Sequence, residues 1–402
     1  MNDRLTVLIT NVWLDNFAGS EVVVRDLAIG LLRRGHRPVV YSPALGGVAK
    51  AITSRGIPVV DDLRKVAEAP DIIHAHHCIP CGEALIHFPQ VPAIFICHAF
   101  ETWLEAPPHF PQIGAYVAVD EACRDRLVHR EGIVPQRVVV LPNGVDLQRI
   151  PARPLPLQQR PARAIAFAKA AGVPEIRAAC ERLGIAYQEL GLGTDRTTAH
   201  PERELVDADL VFSSARGALE GLCCGCAVIV CDYRGFSGFV TSRNFDQLRE
   251  RNFGLRSLGP VATVDRYVEE IGRYDAADAL IVADRARREA DLERLLDGFE
   301  DLYAQVLNGP RRPTVTPDAH QRAVQDFLHQ HLPRRPTDTR WPWIAEREQL
   351  QSEIQALRNR IAELSDRVNA NGDRLGLLAE LERSPLFRLH RFVRRVAGRS
   401  RS

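Results

Sequence analysis

The sequence predicts an α/β protein made of two doubly wound domains in series, and three observations carry that prediction. Short apolar runs alternate with helix-length stretches through residues 1–150. A proline-rich stretch without periodicity, 151–162 (PARPLPLQQRPA), then breaks the pattern and reads as a linker. A second, shorter series of the same kind occupies 163–307. Alternating strands and helices build a parallel sheet with helices on both faces. A length of 402 residues suits two such domains with an appendage.

The elements follow in chain order. Residues 5–10 (LTVLIT) are a short apolar run fit for a strand buried on both faces. Residues 21–34 read as a helix closed by Gly35, which suits a left-handed C-cap. Further strands are expected at 38–42, 57–60, 72–74, 93–97, 116–119 and 138–141. In the second series, strands are expected at 164–167, 186–190, 210–213 and 227–231, and helices at 173–183, 264–273 and 283–306.

Beyond 307 the texture changes. Residues 308–345 are rich in proline and arginine, with one helix candidate at 318–331. In 346–370, Leu350, Ile354, Leu357, Ile361, Leu364 and Val368 repeat at coiled-coil spacing, which suggests self-association. The alternative is one amphipathic helix docked on its own domain. The segment 371–402 ends in SPLFRLHRFVRRVAGRSRS, with six arginines and no acid. Its make-up suits a helix lying on an anionic membrane surface, or else a disordered basic tail.

Composition narrows the function. Net charge is +1, so no domain-wide basic excess points to nucleic acid. The nine cysteines sit mostly in apolar runs, as reduced, buried thiols of a cytoplasmic protein. The N-terminus reads as a first strand rather than a leader, and no apolar run approaches the ~20 residues that span a bilayer. The expected location is the cytoplasm, with peripheral contact at the inner face of the membrane through the tail.

Chemistry in doubly wound sheets gathers just past the carboxyl ends of strands. After the first strand, Gly19 opens a helix whose N–H groups could approach an anion; tight packing is the alternative use of that glycine. At 74–81 (HAHHCIPC), three histidines and a CxxC raise the question of zinc. No second pair lies at finger spacing, so cleft-lining histidines are preferred and no metal site is assigned. His98 emerges from an apolar strand end and is a candidate catalytic residue, able to bond a sugar hydroxyl or relay a proton. Lys169 follows the first strand of the second series and could reach a diphosphate. Ser214, Arg216, Gly217 and Ala218 form a small polar turn into a helix, suited to the same diphosphate, and Glu220 suits ribose hydroxyls.

These residues resemble glycosyltransferase family four and its GT-B relatives, from residue 1 to about 307. The carriers are AGSE at 18–21, DIIHAH at 71–76, His98, YVAVDEACRDRL at 116–127, LPNGVD at 141–146, and ADLVFSSARGALEGLCCGCAVIVCD at 208–232. The resemblance implies two Rossmann-like domains facing a cleft and a retaining, metal-independent transferase. It implies no cofactor beyond a nucleoside-diphosphate sugar as co-substrate, with a glycan or lipid-linked acceptor, often in cell-envelope polysaccharide synthesis. On it, Gly19 lies near the donor phosphate or the acceptor, His98 contacts the donor sugar, Lys169 neutralises the diphosphate and Glu220 holds the ribose. The chain departs from the pattern where the first acid of the paired-glutamate motif falls on Phe212. It departs again where the second basic residue meets Pro174 and Glu175, with Arg177 as a shifted substitute. A non-catalytic assembly protein on the same fold is the second reading these departures leave open, and a nucleotide-sugar epimerase is the third.

Overall fold

The apolar runs of the first series become a seven-stranded sheet. Its strands are β1 (Thr6–Thr10), β2 (Arg37–Tyr41), β3 (Val59–Val60), β4 (Ile72–His76), β5 (Ala93–Cys97), β6 (Ile113–Ala118) and β7 (Val138–Val140). All pairings are parallel, in the order β3-β2-β1-β4-β5-β6-β7. The second series becomes a five-stranded sheet of β8 (Arg163–Phe167), β9 (Ala186–Leu190), β10 (Leu210–Ser213), β11 (Ala227–Asp232) and β12 (Gly235–Phe239). Its order is β12-β11-β10-β8-β9, parallel except for β12. The computed structural model describes residues 4–17, 19–191, 194, 198–332, 353, 356 and 360. The expected coiled coil and basic tail fall outside these, three single positions apart.

Helices α1 (Gly19–Arg33), α2 (Gly47–Thr53), α3 (Cys78–His87) and α4 (Glu121–Asp125) connect the first sheet. Helices α5 (Pro174–Arg182), α6 (Glu202–Leu205), α7 (Ala215–Cys224), α8 (Phe245–Glu250), α9 (Val264–Ile271) and α10 (Ala276–Glu289) pack around the second. Each sheet is buried on both faces, so strands such as β5 and β11 are apolar at nearly every position. Residues Met1–Phe327 form one unit that holds both lobes, and Leu328–Ser402 fall in another.

Two elements differ from expectation. The single helix expected at 283–306 is two. Asp291 accepts the N–H of Glu293 and starts α11 (Leu292–Asn308), while Val145 pairs with Asp291. From there the chain returns to the first lobe: Leu292, Leu296, Phe299, Leu302, Tyr303 and Val306 lie in its core, spaced along one helix face. Helix α12 (Pro317–His331) adds Ala323 and Phe327 to that core. The strand β12 was not expected. GFSGF has no alternating β-branched residues, and Gly235 is required where an added Cβ would lie 2.1 Å from the Gly259 carbonyl oxygen.

Candidate active site

Both sheets have a point where successive connections run to opposite sides, and in open α/β sheets ligands bind at such points. In the second sheet that point lies between β8 and β10. The turn after β8 carries Lys169, and the residue after β10, Ser214, leads into α7. These two places touch. The Ser213 hydroxyl donates to the Phe167 carbonyl at 3.0 Å, and an added Cβ on Gly217 would lie 3.5 Å from the Ala168 Cβ and 2.3 Å from the Ser213 hydroxyl. Glycine is therefore needed at 217 for close approach. Ala168 and Ala215 both hold left-handed backbones, φ 56° and 50°, which makes both turns sharp.

The N-terminus of α7 has no side-chain cap. The Ser214 hydroxyl does not cap the helix but donates to Asp232 at 2.7 Å. The N–H of Ala215 goes to the Phe253 carbonyl and that of Ala218 to Ser214. The N–H groups of Arg216 and Gly217 open the first turn, where a helix has no partner of its own to offer. Ala218, grouped with them from the sequence, corrects to a core residue: its methyl is fully buried and its N–H belongs to the helix ladder.

Lys169 is exposed. The surrounding protein nonetheless desolvates its ammonium and lowers its pKa, and the Arg234 guanidinium lowers it further, against Asp232 and Glu101. Arg234 sits in the turn after β11, bonded to Asp232 at 2.7 Å and to Glu101 of the first lobe at 3.1 Å. It was not singled out in the sequence, although it lies two residues past a strand end, where Lys169 was found.

Across the cleft, His98 follows β5. Its Nε2 lies 2.5 Å from His76 Nδ1, and the two rings stack 4.8 Å apart. Its backbone N–H donates to buried Glu105 at 2.8 Å. Burial, then the charges of His77 and Arg216, push its pKa down to about 3, so the imidazole is neutral at physiological pH. His74, His76, His98 and Arg216 line a cavity of about 20 Å³ between the lobes. That is room for a water molecule, not a sugar. Gly19 begins α1 on the first-lobe side with φ 47°.

Glu220 is not a bare acid. Its Oε1 accepts from Arg149 at 2.8 Å and from Arg216 at 3.1 Å. Arg149 also bonds Glu202 at 2.9 Å, and Arg216 bonds Asp26 of α1. Asp26 is fully buried. Burial alone would raise its pKa, but Arg216, Arg25 and Arg149 outweigh that and hold it below the usual value. Asp26, Arg149 and Glu202 were not visible as site residues, because the network assembles from three distant segments. Phe212, at the first-acid position, lies inside β10 with its ring 5.9 Å from Tyr267. Only Ser214 separates β10 from α7, so the loop that would carry an acid is absent.

Comparison with known proteins bears on the fold that carries these residues. Residues 17–149 match the family model Glycosyltransferase Family 4. A glycosyltransferase from Rickettsia africae superposes with a TM-score of 0.54 at 14% identity, covering 76% of this chain and 99% of that one. HepE from Anabaena, solved with UDP and glucose, gives 0.52 at 14% identity, covering 75% and 99%. No curated protein matches the chain in sequence. The protein is thus family-four-like in its first lobe and has the GT-B fold.

Proposed function

We propose that the protein is a glycosyltransferase that moves a sugar from a nucleoside-diphosphate sugar to a glycan or lipid-linked acceptor. The observation that carries this reading is the contact between the Lys169 turn and the open end of α7 at the switch point of the second sheet. Breaking the sugar–phosphate bond leaves negative charge on the diphosphate. An ammonium and two helix-terminal N–H groups, the latter fixed beforehand by the helix, stabilise that charge as it develops. His98, neutral and held through both its ring and its main chain, lies on the side of the sugar, and the water-sized cavity beside it has to widen before a sugar hydroxyl reaches the imidazole. Glu220, aimed by Arg149 and Arg216, keeps Oε2 for the ribose. HepE, with its UDP and glucose, is a protein of the same fold that supports this choice of ligand.

The reaction is taken as retaining and metal-independent, in line with the resemblance in the sequence. Cell-envelope polysaccharide synthesis is the expected setting, at the inner face of the membrane, with contact through the basic tail and self-association through 346–370. Among the described residues, no helix is long and apolar enough to cross a membrane. Calorimetric titration with UDP, ADP and GDP tests the reading. One of them should bind, and Glu220→Ala should weaken it by about tenfold or more, the loss of a charged hydrogen-bonding partner. Binding of none would overturn the reading. The second reading, a non-catalytic assembly protein, is favoured by Phe212 at the acid position, and it predicts that Glu220→Ala leaves the cellular phenotype unchanged.

A further inference from the structure

Resting on that reading, we propose that Arg234 is the second cation of the diphosphate site and that Glu101 of the facing lobe holds it until the ligand arrives. The residue expected to supply the second charge does not. Arg177 bonds Glu189 at 3.0 Å and lies over the Tyr187 ring, 4.9 Å from its centre, and both partners belong to β9 at the sheet edge. It is spent on packing that edge.

Arg234 is built for the role. Two nitrogens grip Asp232, Nε on Oδ1 at 3.2 Å and Nη2 on Oδ2 at 2.7 Å. Asp232 is itself buried and takes the Ser214 hydroxyl, the residue before α7. The guanidinium is thus tied through one carboxylate to the helix end that faces the anion. Its remaining arm, Nη1, is free of that grip and reaches Glu101 Oε2 across the cleft at 3.1 Å. The Arg234 charge lowers the Lys169 pKa, a repulsion that an anion bound by both would relieve.

Glu101 is the replaceable partner. Its side chain is 56% exposed, and an exposed carboxylate contributes little to such a pair. A diphosphate offers the same arginine a stronger, charge-assisted contact. The four groups, Lys169, Arg234, Asp232 and Glu101, are neutral together. Once Glu101 withdraws, the site carries net positive charge facing the ligand.

The test is calorimetric titration of the full chain with UDP, ADP, GDP and inorganic pyrophosphate, in the wild type and in Arg234→Ala, Arg234→Lys, Glu101→Gln and Arg177→Ala. Arg234→Ala should weaken the nucleotide that binds by about tenfold, with Arg234→Lys recovering part and Arg177→Ala unchanged. Glu101→Gln should tighten it several-fold, and because Glu101 is exposed this arm reads out even if Arg234→Ala does not fold. Wild-type-like binding by Arg234→Ala, or weaker binding by Glu101→Gln, overturns the role of Arg234 while the donor reading stands. A wild type that binds no nucleotide overturns the donor reading itself.

Discussion

Glu105 shows what single residues contribute here. It is buried, accepts the N–H of His98, and lies 3.7 Å from His77 Nε2. His77 Nδ1 accepts the Val12 N–H, so its proton sits on Nε2 and points toward Glu105. Burial pushes the Glu105 carboxyl from 4.5 up to about 7, against the lowering effects of the His98 N–H and Arg126. The folded state therefore keeps this proton when the unfolded chain has lost it. The resulting stability is present below pH 4.5 and is lost as pH rises toward 7, at up to about 1.4 kcal/mol per pH unit. Urea unfolding of wild type and Glu105→Gln from pH 4.5 to 7.5 should show the variant gaining on the wild type as pH rises. Parallel curves would contradict the placement. Lys169 and His98 were singled out in the sequence because each follows a strand end, and Glu220 because it is an acid on the helix that follows β10. Glu105 was not, because its partner is a backbone N–H seven residues earlier, and no residue pattern encodes that contact.

At the scale of elements, α11 carries the clearest departure from the linear domain order. Its apolar stripe was legible, but a stripe does not say which core it faces. The N-cap at Asp291 and the bridge to Val145 turn it back onto the first lobe. Leu296 is fully buried there, beside Gly30 of α1. Leu296→Ala should cost about 2–5 kcal/mol of stability. Hydrogen exchange should show the loosening in α1 and the first sheet; loosening confined to the second lobe would contradict the packing. The parallel strands were legible from their apolar runs. The hairpin of β11 and β12 was hidden, because its glycines answer to close backbone contacts and not to strand propensity.

Over the whole molecule, the carboxyl edges of the two sheets meet. Ion pairs join them: Glu101 to Arg234, Asp125 to Arg256 at 2.6 Å, and Asp26 to Arg216. Two of these three use arginines beside the candidate donor site, so the proposed anion would compete for side chains that join the lobes. The two sheets were legible from the repeated βα texture, whereas this sharing was not, since it joins residues more than a hundred positions apart. The most direct measurement is a crystal structure of the protein with the nucleoside diphosphate it binds. Phosphate oxygens should lie within hydrogen-bond reach, about 3 Å, of Lys169 Nζ and of the N–H groups of Arg216 and Gly217. A nucleotide lodged elsewhere, with that turn empty, would contradict the proposed donor site.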